Sequence, residues 1–412
     1  MMTGYEACVR CGLCLPACPT YLETMTETSG PRGRISLIKA ADEGELDLLS
    51  PGFVEQMSQC LDCRACEAVC PSGVPYGSML EEMRARIRHA SAATQPVRVR
   101  WSRAILLDWL FARPARLRMA ASMLRFAQHS GLSALAGFFG LRELARLAPP
   151  IPGRFFVPDD QQYTVSNAAG TAMLHAGCVM HVAFPRVHEA TIRMLNRARL
   201  SVVVPRVQGC CGAIAVHAGD DALARELARV NVAAFERSGA DVYVVNAAGC
   251  GSTLKEYERL LHDDPAWRER AAAFAARVRD VTEVLDAMEL QPPRGRIDAR
   301  VTYQEPCHLV HAQRVSAAPR RLLAKIPGLR LIEMAESALC CGSAGIYNLT
   351  EPEMASRLQA RKTANIKATG ADIVATANPG CALQVAAGLR EAGLRAEVKH
   401  IVELLDEAYS TP

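Results

Sequence analysis

Sixteen cysteines stand in this chain of 412 residues, and eight of them form two strings of one spacing. The strings are Cys8-x2-Cys11-x2-Cys14-x3-Cys18-Pro19 and Cys60-x2-Cys63-x2-Cys66-x3-Cys70-Pro71. Two-residue gaps let successive thiolates converge on neighbouring irons of a cube, and the cysteine before proline reaches the other cube. The spacing predicts two [4Fe–4S] clusters, one on Cys8, Cys11, Cys14 and Cys70, the other on Cys18, Cys60, Cys63 and Cys66. Zinc usually shows a Cys-x2-Cys pair with a later pair, not a four-cysteine run found twice. Disulfides fit poorly, because the chain runs into Cys8 with no room for an export signal. A reduced, cytoplasmic chain is the expectation.

The other eight cysteines repeat. Cys178, Cys210, Cys211 and Cys250 recur as Cys307, Cys340, Cys341 and Cys381, at offsets of 129, 130, 130 and 131 residues. Both copies hold Cys-Cys-Gly, and both close on a matched phrase, Asn246 to Cys250 and Asn378 to Cys381. Short apolar runs near 172–176, 202–204 and 242–245 alternate with amphipathic stretches at 183–198 and 220–238. Runs near 301–303, 330–333 and 372–376 continue the pattern in the second copy. This alternation predicts parallel sheets with helical crossovers. All eight cysteines follow predicted strands, so they gather at the carboxyl edges, where open α/β sheets place their sites. Histidines at 175, 181, 217, 308 and 311 fall near these turns, and His308, next to Cys307, is a candidate metal ligand or proton carrier.

Helical stretches must position the first eight cysteines, at about 33–41, from Pro51 through Met57, and at 76–90. Arg32 and Arg34 either offset the negative charge of a cluster or are simply solvated. Residues 96–150 differ from the rest, with nine arginines against Asp108 and Glu143 and with Trp101, Leu106, Trp109, Met123, Phe126, Phe138 and Phe139 among large apolar residues. Such a basic amphipathic stretch packs on the main body, docks on a partner or lies on an anionic membrane. Pro149, Pro150 and Pro152 close it as a stiff linker. A net charge of +4 gives no reason to expect nucleic acid, and no apolar run reaches the roughly 18 residues of a membrane span. The expected architecture is a multidomain α+β chain. It comprises a helical two-cluster ferredoxin domain over 1–95, a basic helical connector over 96–158, and two α/β cysteine-rich units over 159–292 and 293–412.

Together these residues resemble the iron–sulfur subunit family of bacterial glycolate oxidase (glycolate dehydrogenase), over nearly the whole chain. The resemblance rests on the two cysteine strings, on Gly30-Pro-Arg-Gly-Arg-Ile35 and on the paired cysteine-rich repeats. The layout is shared with iron–sulfur subunits of anaerobic glycerol-3-phosphate dehydrogenase and with heterodisulfide-reductase-type proteins. The resemblance implies a relay: an FAD-containing partner subunit oxidises glycolate to glyoxylate, and this chain passes electrons singly toward a quinone-type acceptor. The expected location is the cytoplasm or the cytoplasmic face of the inner membrane, with the basic stretch 96–150 as the region of contact. A two-electron oxidation needs a pair-accepting cofactor, and no Gly-x-Gly-x-x-Gly fingerprint follows a strand here. The alternatives are the same subunit for lactate or glycerol 3-phosphate, or a chain itself catalytic at Cys210, Cys211, Cys340, Cys341 and His308. Heterodisulfide-type relatives carry a fifth cysteine per repeat, but Thr253 and Gln384 stand in those places. Each four-cysteine set is thus left with three readings: one further cluster, another metal such as zinc, or a metal-free dithiol.

Overall fold

The computed structural model describes residues 4–93, 95, 105–132, 148–288 and 290–410. The N-terminal region is helical, and proline sets the start of several helices. Pro19–Thr24, Pro31–Asp42 and Pro51–Ser58 each begin on proline, whose fixed φ suits the first helical position and whose missing N–H costs nothing there. Ile35 and Ile38 from the second of these meet Phe53 and Met57 from the third. Both pairs pack on Met79, Leu80 and Met83 of the helix Tyr76–Ser91. The long connection between the cysteine strings is therefore a small core of its own.

In the basic stretch, a π-helical turn, Ile105–Phe111, leads to the helix Pro114–His129. Trp101, Phe138, Phe139 and the side chain of Leu106 lie outside the described residues. The helix uses two faces. Leu117 and Ala121 are buried with Met173 and Val182 of the first α/β unit. Met119, Met123 and Phe126 are 51%, 67% and 68% exposed on the opposite side.

The two α/β units share one topology. The first holds β1 (Gln162–Tyr163), β2 (Gly170–Leu174), β3 (Leu200–Val203), β4 (Val242–Val245) and β5 (Val278–Asp280), in the order β1-β3-β2-β4-β5. The second holds β6 (Arg300–Tyr303), β7 (Arg330–Ile332), β8 (Ile373–Thr376) and β9 (Glu397–His400), in the order β7-β6-β8-β9. Only β1 runs antiparallel. Each unit winds outward one way and then the other from its first parallel strand. The crevice at the carboxyl edge opens at that switch point.

The units lean on each other through the helices Pro185–Arg197 and Ile401–Ser410, with Arg193 paired to Asp406 at 2.7 Å. Their matched phrases touch: Ala248 N donates to Ala377 O at 3.0 Å, and Gly249 N to the Asn378 Oδ1 at 3.1 Å. The helix Tyr76–Ser91 docks the N-terminal region on the first unit. There Gly219, at φ +72°, lets the chain approach so closely that a Cβ would lie 2.6 Å from the Arg84 carbonyl oxygen.

Candidate functional site: two thiol-lined cavities and two cysteine-rich edges

The structure gathers the eight N-terminal cysteines into two neighbouring cavities. One is lined by Cys8, Cys11, Cys14 and Cys70, with Cys66. The other is lined by Cys18, Cys60, Cys63 and Cys66. Cys70 and Cys66 of the second string line the first cavity, Cys18 of the first string lines the second, and Cys66 lines both. Cys11 is exposed, while Cys18, Cys60 and Cys63 are buried, so one cavity faces solvent and the other the protein. Burial pushes the Cys63 and Cys66 thiols well up, and neighbouring sulfurs add to it. Four thiols turned into one dry cavity are poor thiolates unless a cation shares it, and the donor set fits an iron–sulfur cluster.

Two arginines near these cavities differ. Arg32 is bound to Glu27 at 2.7 Å and partly exposed. Arg34 is fully buried and lines the inner cavity. Its Nε donates to the Gln56 carbonyl at 2.8 Å and its Nη1 to the Thr20 hydroxyl at 3.0 Å, while Nη2 has no partner. Burial works against its charge, but Cys60, Tyr76 and Cys18 hold the guanidinium protonated. An orphaned buried donor beside four thiols is matched to negative charge in that cavity. A unit charge roughly 6 Å away at an effective dielectric constant of about 20 is worth about 3 kcal/mol. Arg34→Gln is therefore expected to lower the potential of the inner centre by on the order of 100 mV. A potentiometric EPR titration checks this, and an unshifted midpoint would refute it.

A charged knot ties the inner cavity to the α/β units. Arg64, 8% exposed, is bound to Asp62 at 2.9 Å and Glu81 at 2.7 Å, and reaches Glu256 of the first unit at 3.3 Å. Burial opposes ionisation of Asp62, but Arg64 and then His217 hold its carboxyl far below the usual range. Burial pushes Glu81 up to about 7, against the pull of Arg64. His217 Nδ1 lies 3.1 Å from Asp62 Oδ2, and its ring stacks on His308 at 5.3 Å. His308 Nε2 donates to the Asp62 carbonyl at 2.9 Å. His308 thus holds the loop that carries Cys63. Sequence reasoning missed this knot, although two charged residues inside a cysteine string were a visible signal.

At the carboxyl edges the cysteines stand as the repeat implies. Cys178 follows β2, Cys210 and Cys211 follow β3, and Cys250 sits in the first turn of the helix Ala248–Lys255 after β4. Cys210 and Cys178 sulfurs are 3.6 Å apart. Cys211, and against burial His175, pull the Cys250 thiol down to about 6. In the second unit Cys307, Cys340, Cys341 and Cys381 take the matching places, and Asn378 Nδ2 donates to the Cys381 sulfur at 3.3 Å. Buried Lys362, also unforeseen, sits beside Cys341, Cys340 and Cys381, which work against the lowering of its ammonium by burial. Cys63 packs in one cluster with Cys340, and Cys307 lies against it. The inner cavity and the second unit's sulfurs are thus neighbours. His311 Nε2 meets the Ala338 carbonyl at 3.1 Å, and His181 Nδ1 meets the Gly177 carbonyl at 2.9 Å while its Nε2 has no partner.

Comparison with known proteins decides the family. Residues 4–74 match the 4Fe-4S dicluster domain, and 172–255 and 301–386 the cysteine-rich domain. Residues 98–148 match the linker region of the glycolate oxidase iron–sulfur subunit. The chain is 39% identical to the probable glycolate oxidase iron–sulfur subunit of Bacillus subtilis, over 97% of this chain and 93% of that one. The chain belongs to the family of glycolate oxidase iron–sulfur subunits. The glycolate oxidase iron–sulfur subunit of Escherichia coli is 33% identical over 98% of this chain and 94% of that one. One subunit of the fumarate reductase (CoM/CoB) of Methanothermobacter marburgensis is 30% identical, over 98% of this chain and 72% of its own length. As a member of the family the chain is an iron–sulfur protein. Among the described residues no helix is long and apolar enough to cross a membrane.

Proposed function

We propose that this chain is the electron-transfer subunit of a glycolate dehydrogenase. It takes electrons from the FAD of a partner subunit, which oxidises glycolate to glyoxylate, and delivers them to a quinone-type acceptor. One observation carries the reading: thiols run without a break from exposed Cys11 through Cys66, which lines both cavities, to Cys63 against Cys340. Cys8, Cys11, Cys14 and Cys70 would hold one [4Fe–4S] cluster, and Cys18, Cys60, Cys63 and Cys66 the second. Such clusters supply one-electron storage at a potential tuned by charge, hydrogen bonding and exposure. Arg34 supplies charge at the inner cavity, and Val9 and Leu13 give exposed Cys11 an apolar rim for docking. The second unit's four sulfurs, beside Cys63, are the place for a further redox centre.

The test mixes the chain with its flavin partner under anaerobic conditions and adds one substrate at a time. Glycolate is expected to produce the EPR signal of reduced clusters, and lactate and glycerol 3-phosphate are not. Reduction by lactate or glycerol 3-phosphate alone would move the chain to the corresponding dehydrogenase. Loss of acceptor reduction in Cys340→Ser, with full cluster reduction by glycolate, would favour a catalytic role for the repeat cysteines.

The outer face of Pro114–His129 suits peripheral contact with an anionic membrane, where a quinone would reside. Met119, Met123 and Phe126 form its apolar stripe, Arg116, Arg118 and Arg125 flank it, and the helix has no acidic residue. The chain should float with phosphatidylglycerol-rich vesicles at low salt, and Met123→Glu/Phe126→Glu should stay in solution. Equal flotation of both would refute the contact.

A further inference from the structure

A cavity opens between the first turn of the helix Pro114–His129 and the turns that follow β2 and β3. Pro114, Ala115 and Arg118 line it from the helix, and Gly177 and Gly209 line it from the turns. Those glycines immediately precede Cys178 and Cys210, so the wall lies one residue from two buried sulfurs. Its mouth is apolar. Val157 lines the cavity and is 47% exposed, and Val207, next to the lining residue Gln208, is 61% exposed.

Some polar groups of this cavity are already engaged. Gln208 Oε1 accepts from the Ala176 N–H at 2.9 Å, and Gln208 Nε2 donates to the Pro205 carbonyl at 3.0 Å. Arg206 is held by the Asp160 carboxylate at 3.2 Å and the Asp159 carbonyl at 3.1 Å. Two lining groups are not engaged. Arg118 is half-buried, has no acidic partner among the described residues, and its charge acts on the His181 ring. His181 is 1% exposed; its Nδ1 lies 2.9 Å from the Gly177 carbonyl, and its Nε2 has no partner. Burial lowers the imidazole to about 4, against the pull of the Gly177 carbonyl, so the ring is neutral near neutral pH. A carbonyl can only accept, so Nδ1 carries the ring's hydrogen and Nε2 presents a lone pair. A buried nitrogen without a partner is destabilising, and a ligand hydroxyl removes that penalty.

We propose that this cavity receives the head group of the quinone acceptor. One ring oxygen accepts from Arg118, and the other, as the hydroxyl of the quinol, donates to His181 Nε2. Quinone becomes quinol by two electrons, delivered singly by the chain, and two protons from solvent. A flat apolar ring with an oxygen at each end matches an apolar cavity that offers one free donor and one free acceptor. A compact anion matches it less well, because it would use Arg118 and set its negative charge against the imidazole lone pair. The apolar mouth and the outward stripe of the same helix give an isoprenoid tail a path to the membrane surface. The site presupposes the quinone-type acceptor proposed above, but its binding test needs neither the flavin partner nor glycolate.

That test is equilibrium dialysis of the full, oxidised chain, purified anaerobically, against duroquinone. This probe has no tail, and its ring methyl groups keep it from adding to thiols. The wild-type chain should retain it at a single site. Arg118→Gln should weaken retention roughly tenfold or more, the worth of one hydrogen bond to a charged group. Ala115→Trp, which fills the cavity from an exposed position of the helix, should weaken it at least as much. His181→Phe should weaken binding of duroquinol more than that of duroquinone, since only the quinol has a hydrogen to give Nε2. No retention by the wild-type chain at the solubility limit of the quinone, or wild-type affinity in Arg118→Gln or Ala115→Trp, would overturn the site. Equal losses of duroquinone and duroquinol in His181→Phe would overturn the role of the imidazole and the site with it. Arg118 and Ala115 are not core residues, so their variants decide the matter even if His181→Phe does not fold. If duroquinone is not bound while glycolate still reduces the clusters, this site falls and the electron-transfer reading stands; binding without reduction by glycolate means the reverse.

Discussion

Cys70→Ser is expected to remove the outer centre, although Cys70 belongs to the second string, and Cys18→Ser to remove the inner one. Cys70 lines the solvent-facing cavity with Cys8, Cys11 and Cys14, while Cys18 lines the inner one with Cys60, Cys63 and Cys66. Each variant should fall from about eight irons per chain to about four. The survivors should differ. After Cys70→Ser the remaining centre is buried and should resist ferricyanide. After Cys18→Ser it lies beside exposed Cys11 and should bleach quickly. Substrate-driven acceptor reduction should drop to background in both, since each breaks the line of thiols. If the centre left in Cys70→Ser bleaches quickly and that in Cys18→Ser persists, each string binds its own cluster and the crossed assignment is wrong.

The two cysteine strings were legible because spacing is a local property. The 2-2-3 strings, the near-constant repeat offset and the apolar runs of β2, β4, β6 and β8 all reside in short stretches of sequence. What escaped reading depends on contacts between distant residues. His175 and Tyr243 are 68 positions apart, and only the pairing of β2 with β4 makes them neighbours. Arg64 meets Glu256 across 192 positions. The two-faced helix Pro114–His129 was ambiguous for another reason. Its arginines and large apolar residues suit an inner and an outer contact alike, and only the burial of Leu117 and Ala121 fixes the inner side.

Arg64→Met is expected to destabilise the folded chain by about 3–5 kcal/mol, the usual cost of removing one partner from a buried ion cluster. Asp62 and Glu81, both nearly inaccessible, would keep their carboxylates and lose the guanidinium between them. The loss should depend on pH. Glu81 already sits near 7 in the folded chain against an ordinary value of 4.5. Its folded state therefore holds the proton more tightly than the unfolded chain, and its contribution weakens as pH rises through 7. Without Arg64 the carboxyl moves higher still, so the gap from wild type should be wide at pH 8 and narrower at pH 6. Denaturant unfolding at both values checks this, and a gap under about 1 kcal/mol at pH 8 would refute it. Gly77→Ala should produce a similar loss without touching a charge, because a Cβ there would lie 1.8 Å from the Arg64 Nε. Asp62 and Arg64 flank Cys63 with left-handed backbones, φ 52° and 60°, which residues other than glycine rarely adopt unless neighbours hold them. Releasing the knot frees that loop, and Cys63 with it, from Cys340. Both variants should therefore slow electron delivery to the second unit even at temperatures where the chain stays folded.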